Sequence, residues 1–264
     1  MLLKISHRTE YSYGSPVNYA LQRLRLTPKD GPTQKVESWS VKVEGAREEV
    51  RFVDHLGNHT QLVSAQGAPH SIGIVAEGTV ETRGTSGIYG RDSSFAPLWL
   101  FETETELTTA GPGVRGLVKS ISSERDIDRL HELMHAIARD VAYNIGATGP
   151  ETTAEQALAQ GSGVCQDHAH VFITAARTMG YPARYVSGYL MMNDHVEQVA
   201  SHAWAEAHVD GLGWVSFDSA NGISTDERYV RIAVGRDYRE AMPVSGIRLG
   251  AADERLAVHI TVEQ

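Results

Sequence analysis

A few stretches of this 264-residue chain carry side chains that could do covalent chemistry. Residues 131–135 read HELMH: two histidines four apart with a glutamate between them. On a helix that spacing lets His131 and His135 hold zinc while Glu132 acts as general base. Residues 161–170 read GSGVCQDHAH around Cys165, the only cysteine. A thiol nucleophile needs a base and a group to orient that base. His202 in SHAWAEAHV and Asp218 in GWVSFDS are candidates for those two roles. Zinc-assisted and thiol-dependent hydrolysis are therefore competing readings, and helical and strand phase must choose between them.

The segment 122–144 reads as a helix that Ser122 or Ser123 caps, with an apolar stripe of Leu130, Met134, Ile137 and Val141. At 100° per residue His131 falls at the edge of that stripe, His135 well outside it, and Glu132 points away from the core. A catalytic zinc needs all three lining one cleft, plus a third protein ligand. The run AIARDV that follows lacks the HExxHxxGxxH extension. HELMH thus reads as two solvent-flanking histidines and an exposed glutamate. No metal and no cofactor is expected.

In the helix that begins at Cys165, the thiol opens a stripe of Ala169, Phe172, Ile173, Ala176 and Met179, so it should point toward the core. Free N–H groups and about half a positive charge at a helix N-terminus favour a negative sulfur. Backbone N–H groups there can also stabilise an oxyanion. Gly161 and Gly163 would let backbone approach a ligand closely. Gln166 and Asp167 read as first-turn residues that complement the dipole. His168 and His170 are rival bases, but His170 is turned away from the core by phase, and His168 is poorly placed for a frontal approach to Cys165. If residues 202–209 and 213–219 form a hairpin with a three-residue loop centred on Asp210, His202 lies directly opposite Asp218 on one sheet face. Gly211 suits the left-handed position of such a loop. A two-residue Asp-Gly turn would put the pair on opposite faces. Trp204 and Glu206 share the His202 face, either as cleft residues or as a packing tryptophan and an ion pair. Asn221 could support Asp218 or end the strand in a turn.

These side chains need elements to hold them. HRTEYSY (7–13), ESWSVKVEG (37–45), two strands around Leu56-Gly57-Asn58, and GIVAEGTVET (73–82) alternate as strands and predict a β-rich, sandwich-like module over residues 1–95. Residues 96–264 predict a core of helices packed on an antiparallel sheet. That core includes a short helix at 152–160, with a Thr cap and Glu155 placed for a capping box, and a last strand at 255–263. The fold class is α+β.

Composition narrows the partners. Lys and Arg total 24 against 33 Asp and Glu, a net charge of −9. That balance argues against nucleic acid, which wants a cationic surface. No apolar run approaches the roughly 18 residues a membrane helix needs. The first residues show no apolar signal region, and a single cysteine precludes an intrachain disulfide, so the cytoplasm is the expected compartment.

GVCQDHAHVFITAARTMGYPARYVSGYL, SHAWAEAHV and GWVSFDSANG together resemble the three core motifs of the bacterial transglutaminase-like superfamily, which has a papain-like core. HRTEYSYGSPV, LRLTP and FVDHLGN resemble the N-terminal module attached to its bacterial branch, and GRDYREAMPVSGI resembles its tail. The resemblance implies Cys165 as nucleophile, His202 as base and Asp218 as orienting group; Gly163, Gln166, Trp204, Glu206 and Asn221 stay, from the residues themselves, as cleft or supporting candidates. It implies acyl transfer from a peptide amide or isopeptide bond through a thioester. Hydrolysis is favoured over transamidation, because bacterial members resemble cysteine peptidases as much as crosslinkers. The partner is then a protein or peptide substrate, and the N-terminal sheet suits substrate docking or homo-oligomer formation. His168 stands where the family commonly has an aromatic residue, and the tryptophan oxyanion donor of animal transglutaminases is not recognisable before Cys165. Calcium activation is not carried over. The alternatives are a zinc peptidase using HELMH and a catalytically idle peptide-binding module.

Overall fold

A computed structural model describes residues 1–92, 94–192, 196–250 and 253–264. The N-terminal strands are β1 (Leu2–Tyr13), β2 (Val17–Thr27), β3 (Gln34–Glu44), β4 (Ala46–Val53), β5 (His59–Ala65), β6 (Ser71–Thr82) and the short β7 (Ile88–Gly90). Two 3₁₀ turns then lead to α1 (Pro112–Ser120), α2 (Asp126–Asp140), β8 (Ala142–Tyr143), α3 (Ala154–Gln160), β9 (Ser162–Gly163) and α4 (Cys165–Thr178). The chain continues through β10 (Ala183–Leu190), β11 (Glu197–Gln198), β12 (His202–Val209), β13 (Gly213–Phe217), β14 (Tyr229–Gly235), α5 (Tyr238–Ala241), β15 (Val244–Gly250) and β16 (Glu254–Glu263). The class is α+β, as the alternation of patterns predicts. Among the described residues no helix is long and apolar enough to cross a membrane.

Two antiparallel sheets, ordered β11-β16-β1-β6-β3 and β15-β2-β5-β4, close on a sandwich core that includes Val17, Leu24, Leu26, Val63, Ile72 and Ile74. A third sheet, β14-β10-β12-β13-β7, carries the helices. Both of its faces are covered, so β10, β13 and β14 are buried along their whole length. One face meets α4 through Ala203, Ala205 and Ala207, whose small side chains let the helix sit close. The other buries Trp204, Trp214 and Tyr229 against Leu56, Tyr89 and Phe101. Sheet membership does not follow a cut in the chain at residue 95. β7 pairs with β13, whereas β15 and β16 return to pair with β2 and β1. Leu3, Ile5, Val80, Ile260 and Val262 of the N-terminal sheet continue into the helical core, so the two modules share hydrocarbon.

Several local expectations change. α2 is shorter than 122–144, and neither Ser122 nor Ser123 caps it; instead both of their backbone N–H groups donate to the Glu132 carboxylate. The capping box of α3 is closed by Thr153 and Gln156. Glu155 instead accepts from the N–H groups of Gly111, Gly113 and Val114 at 3.1, 2.5 and 3.1 Å, capping the start of α1. Four free N–H groups at a helix start seek an acceptor, and a carboxylate from a neighbouring helix supplies it.

Candidate active site

α4 starts at Cys165 because the chain arrives extended at Val164 and finds an internal anchor. The Asp167 carboxylate accepts from Val164 N at 2.8 Å and from the Thr148 hydroxyl at 2.6 Å. Gly163 is small for the same reason: a Cβ there would lie 2.6 Å from that of Asp167. Gly161, at φ +64°, ends α3 in the left-handed region that favours glycine. Both glycines thus serve chain geometry. Cys165 sits at the head of α4, 8% exposed, and opens into a cleft of about 340 Å³.

His202 and Asp218 come together, though not in the expected register. The β12–β13 loop does have three residues, but it is centred on Gly211, at φ +82°, with Val209 opposite Gly213. Ladder pairing ends at Ala205 opposite Phe217, after which Asp218 bridges to Ile223. His202 and Asp218 are therefore diagonal neighbours on one face, a separation that long side chains can span. His202 Nε2 lies 2.7 Å from Asp218 Oδ2, and the His202 ring and Cys165 line the same cleft. With Nε2 engaged by the carboxylate, Nδ1 is the nitrogen left for sulfur. Asp218 Oδ2 also accepts from Asn221 Nδ2 at 2.7 Å and from the Tyr229 hydroxyl at 2.8 Å. Its Oδ1 accepts from the backbone of Ala220 and Asn221 at 3.0 and 3.3 Å.

The electrostatics follow from this wiring. Burial works against a charged His202, but the Asp218 carboxylate, its hydrogen bond and the Cys165 sulfur outweigh burial and raise the pKa above 6.5. Burial likewise works against a charged Asp218, and the His202 ring with the Asn221 and Tyr229 donors holds it below 3.8.

Of the other predicted residues, Asn221 joins the site through Asp218, and Gln166 lines the cleft while donating to Pro150 O at 3.2 Å. Trp204 stacks beside the His202 ring at 6.3 Å, and its room is made by Gly188, where a Cβ would lie 2.7 Å from the indole. Glu206 is not in the cleft. It pairs with Arg184 at 2.8 Å and with Arg231, and Arg184 reaches Asp92 at 2.5 Å while lying 3.9 Å above the Trp214 ring. The ion-pair reading of Glu206 thus describes its contacts. His170 is fully buried rather than turned outward, because α5 and β10 cover that side, and its Nε2 accepts from Tyr238 N. His168 has its Nδ1 at 2.8 Å from Val164 O and its Nε2 at 2.9 Å from Val141 O, so neither nitrogen is left for the thiol.

HELMH does not converge either. His131 Nδ1 lies 2.8 Å from Ile127 O, Nε2 is 3.3 Å from the Ser224 hydroxyl, and the ring packs edge-on to Phe217. It is therefore inward-facing, a correction to the solvent-flanking reading, while His135 is exposed. Glu132, held to about pH 2 by the Ser123 and Ser122 donors, is a loop clamp and not a free surface carboxylate. Among the described residues no three His, Cys, Asp or Glu side chains gather as a metal cluster.

Tyrosines supply what sequence spacing missed. Tyr143, Tyr185 and Tyr238 line the cleft, and burial together with the Cys165 charge raises all three phenols, Tyr143 to about 12. Tyr143 arrives by the parallel pairing of β8 with β9, which sets it opposite Gly163; no local pattern announces such a contact. Ser187, Met192 and Glu197 also line it, and Glu197 is the only Asp, Glu, Lys or Arg among the described lining residues.

A cysteine at a helix head, facing a histidine and an aspartate at the ends of adjacent antiparallel strands, is the arrangement of papain-like proteins. The chain belongs to the transglutaminase-like superfamily: residues 115–219 match the model of that superfamily, and residues 3–81 match the bacterial transglutaminase-like N-terminal region. An uncharacterized protein of Mycobacterium leprae is 32% identical over 280 residues, covering 98% of each chain. An uncharacterized Mycobacterium tuberculosis protein is 26% identical over 272 residues, covering 92% of this chain and 86% of that one. A solved structure from Cytophaga hutchinsonii, described as a candidate cysteine protease, superposes with a TM-score of 0.77 at 19% identity over 100% of this chain and 98% of the other. That likeness shows a common fold.

Proposed function

We propose that this protein is a thiol-dependent acyl-transfer enzyme that cleaves peptide amide or isopeptide bonds. The observation that carries the reading is the buried 2.7 Å bond between His202 and Asp218, with the Cys165 thiol on the open side of the ring. His202 Nδ1 takes the thiol proton, and sulfur attacks the amide carbonyl carbon. The C–N bond breaks, the amine leaves with the proton from His202, and a thioester remains on Cys165. Backbone N–H groups at the head of α4 face the developing oxyanion, and the Tyr143 hydroxyl beside the thiol is a further donor. Water, deprotonated by His202, attacks the thioester and restores the thiol.

Hydrolysis is the favoured outcome because the cleft is open: Val199 and Ile145 on its lining are 76% and 75% exposed, so water reaches the thioester. The description of the Cytophaga protein agrees with a peptidase reading. An amine acceptor at the same thioester gives transamidation, and the ratio of acid to amide product measures the partition. A free catalytic thiol suits the reducing cytoplasm, where we place the protein.

The test is a panel of peptide amides with Cys165→Ala, iodoacetamide and a metal chelator in parallel. Activity should vanish with the first two and persist with the third. Full activity in Cys165→Ala refutes the mechanism, and loss with chelator alone restores the zinc reading.

A further inference from the structure

A second cavity adjoins the cleft on the side of the N-terminal module. It encloses about 160 Å³ and is walled by Tyr11, Val244, Leu256 and Val258, with His7 and Thr9 at its buried polar end. It shares Val199, Ala200, Ser201 and Tyr238 with the cleft that holds Cys165 and His202. Tyr238, in that shared wall, lies close enough to Cys165 to feel the charge of the sulfur.

The imidazole at the polar end of this cavity is already engaged on both nitrogens. His7 Nδ1 lies 2.8 Å from the Tyr189 hydroxyl, and its Nε2 lies 3.1 Å from the Thr9 hydroxyl. Burial lowers the His7 pKa to about 4, so the ring is neutral at pH 7. Among the described residues no Lys, Arg, Asp or Glu lines the space. A ligand therefore meets mainly hydrocarbon and ring faces. Leu256 is 56% exposed at its mouth, apolar surface left to water next to a reactive thiol. An apolar cavity of about 150 Å³ accepts a benzene-sized group, which sets the size of the occupant.

We propose that this cavity is a subsite of the cleft, built by the N-terminal module, for an apolar side chain of leucine to phenylalanine size in the peptide substrate. The inference rests on the acyl-transfer reading above. An extended peptide advances about 3.3 Å per residue, so a substrate spans the shared wall with a few residues beyond the amide presented to Cys165. β1, β15 and β16 thereby take part in substrate choice, which gives the return of the C-terminal strands to the N-terminal sheets a functional consequence.

Two measurements on the full chain separate this proposal from its premise. Acylation of Cys165 by p-nitrophenyl acetate, followed by mass spectrometry, needs the thiol and not the subsite. Its absence in wild type overturns the acyl-transfer reading. With acylation in hand, kcat/KM is compared across peptide amides carrying Leu, Phe, Ser or Asp at each position in turn. One position should prefer Leu or Phe over Ser by about 10- to 100-fold, the factor that burying such a side chain supplies. Leu256→Asp should bring that ratio toward one, as should the near-isosteric Val258→Thr if the first variant folds poorly. Wild type without an apolar preference at any position, or folded variants that keep it, overturns the subsite.

Discussion

Replacing Asp218 by Asn tests the wiring of the site with an almost isosteric change. The carboxylate accepts five hydrogen bonds, three at Oδ2 from His202, Asn221 and Tyr229, and two at Oδ1 from the backbone of Ala220 and Asn221. An amide offers one acceptor oxygen. With that oxygen toward the backbone pair, its NH₂ faces the three former donors. The Tyr229 hydroxyl and the Asn221 side chain can turn to accept. His202 can accept only with its proton on Nδ1, the nitrogen that must take the proton from Cys165. The NH₂ has two hydrogens for three partners, so two charge-assisted bonds become neutral ones and the third is lost, at about 1 kcal/mol or somewhat more each, or about 3 kcal/mol of stability. That is a loss a domain of ordinary stability survives. The turnover number should fall by about four orders of magnitude, as in other triads that lose the orienting carboxylate. Urea unfolding and single-turnover acylation of the same preparation give the two numbers. A folded Asp218→Asn protein within tenfold of wild-type turnover refutes the assigned roles of His202 and Asp218.

The remaining predictions follow from the same contacts. His202 has a folded pKa above its ordinary 6.5, so its stabilising contribution is full below pH 6.5 and is lost as pH rises through the folded value. Asp218 lies below its ordinary 3.8, so its contribution is full above pH 3.8 and is lost as pH falls through the folded value. The stability gap between wild type and Asp218→Asn should therefore narrow at both ends of a pH titration of Tm, and a gap that widens in acid would contradict the assignment. Glu206→Gln leaves two buried guanidinium groups short of a charge partner and should cost about 3–5 kcal/mol in urea unfolding, with Cys165 acylation retained in the folded fraction. Glu155→Ala uncovers three N–H groups at the head of α1 and should cost about 0.5–2 kcal/mol; an unchanged midpoint would show that water replaces the carboxylate at no cost.

Much of the site can be read along the chain because its pieces are local signals. A Gly-rich turn before an apolar stripe places Cys165 at a helix head. Strand parity around Gly211 puts His202 and Asp218 on one face whenever the loop has an odd number of residues. Hydrophobic period alone also demotes HELMH, since a zinc site needs three side chains turned one way and the wheel turns them apart. What the sequence by itself determined, then, is the identity of the elements and the face each residue shares with its neighbours. These depend on periods of 2 and 3.6 residues and on turn chemistry.

Only the tertiary structure decided what depends on which elements meet. The one-residue shift of the hairpin centre leaves parity intact, so nothing in the alternation reveals that His202 and Asp218 pair diagonally. His170 has an outward helical phase and is nonetheless buried, because phase describes one helix and not the α5 segment laid over it. Tyr143 and Tyr229 reach the site through a two-residue parallel pairing and a separate strand, and Glu155 accepts from Gly113, 42 residues earlier in the chain, to cap the start of α1. The C-terminal strands read as strands anywhere, but edge pairing with β1 and β2 sets them against the N-terminal sheets. Backbone hydrogen bonds between distant segments carry no periodic trace in either segment, and those bonds built the walls around Cys165.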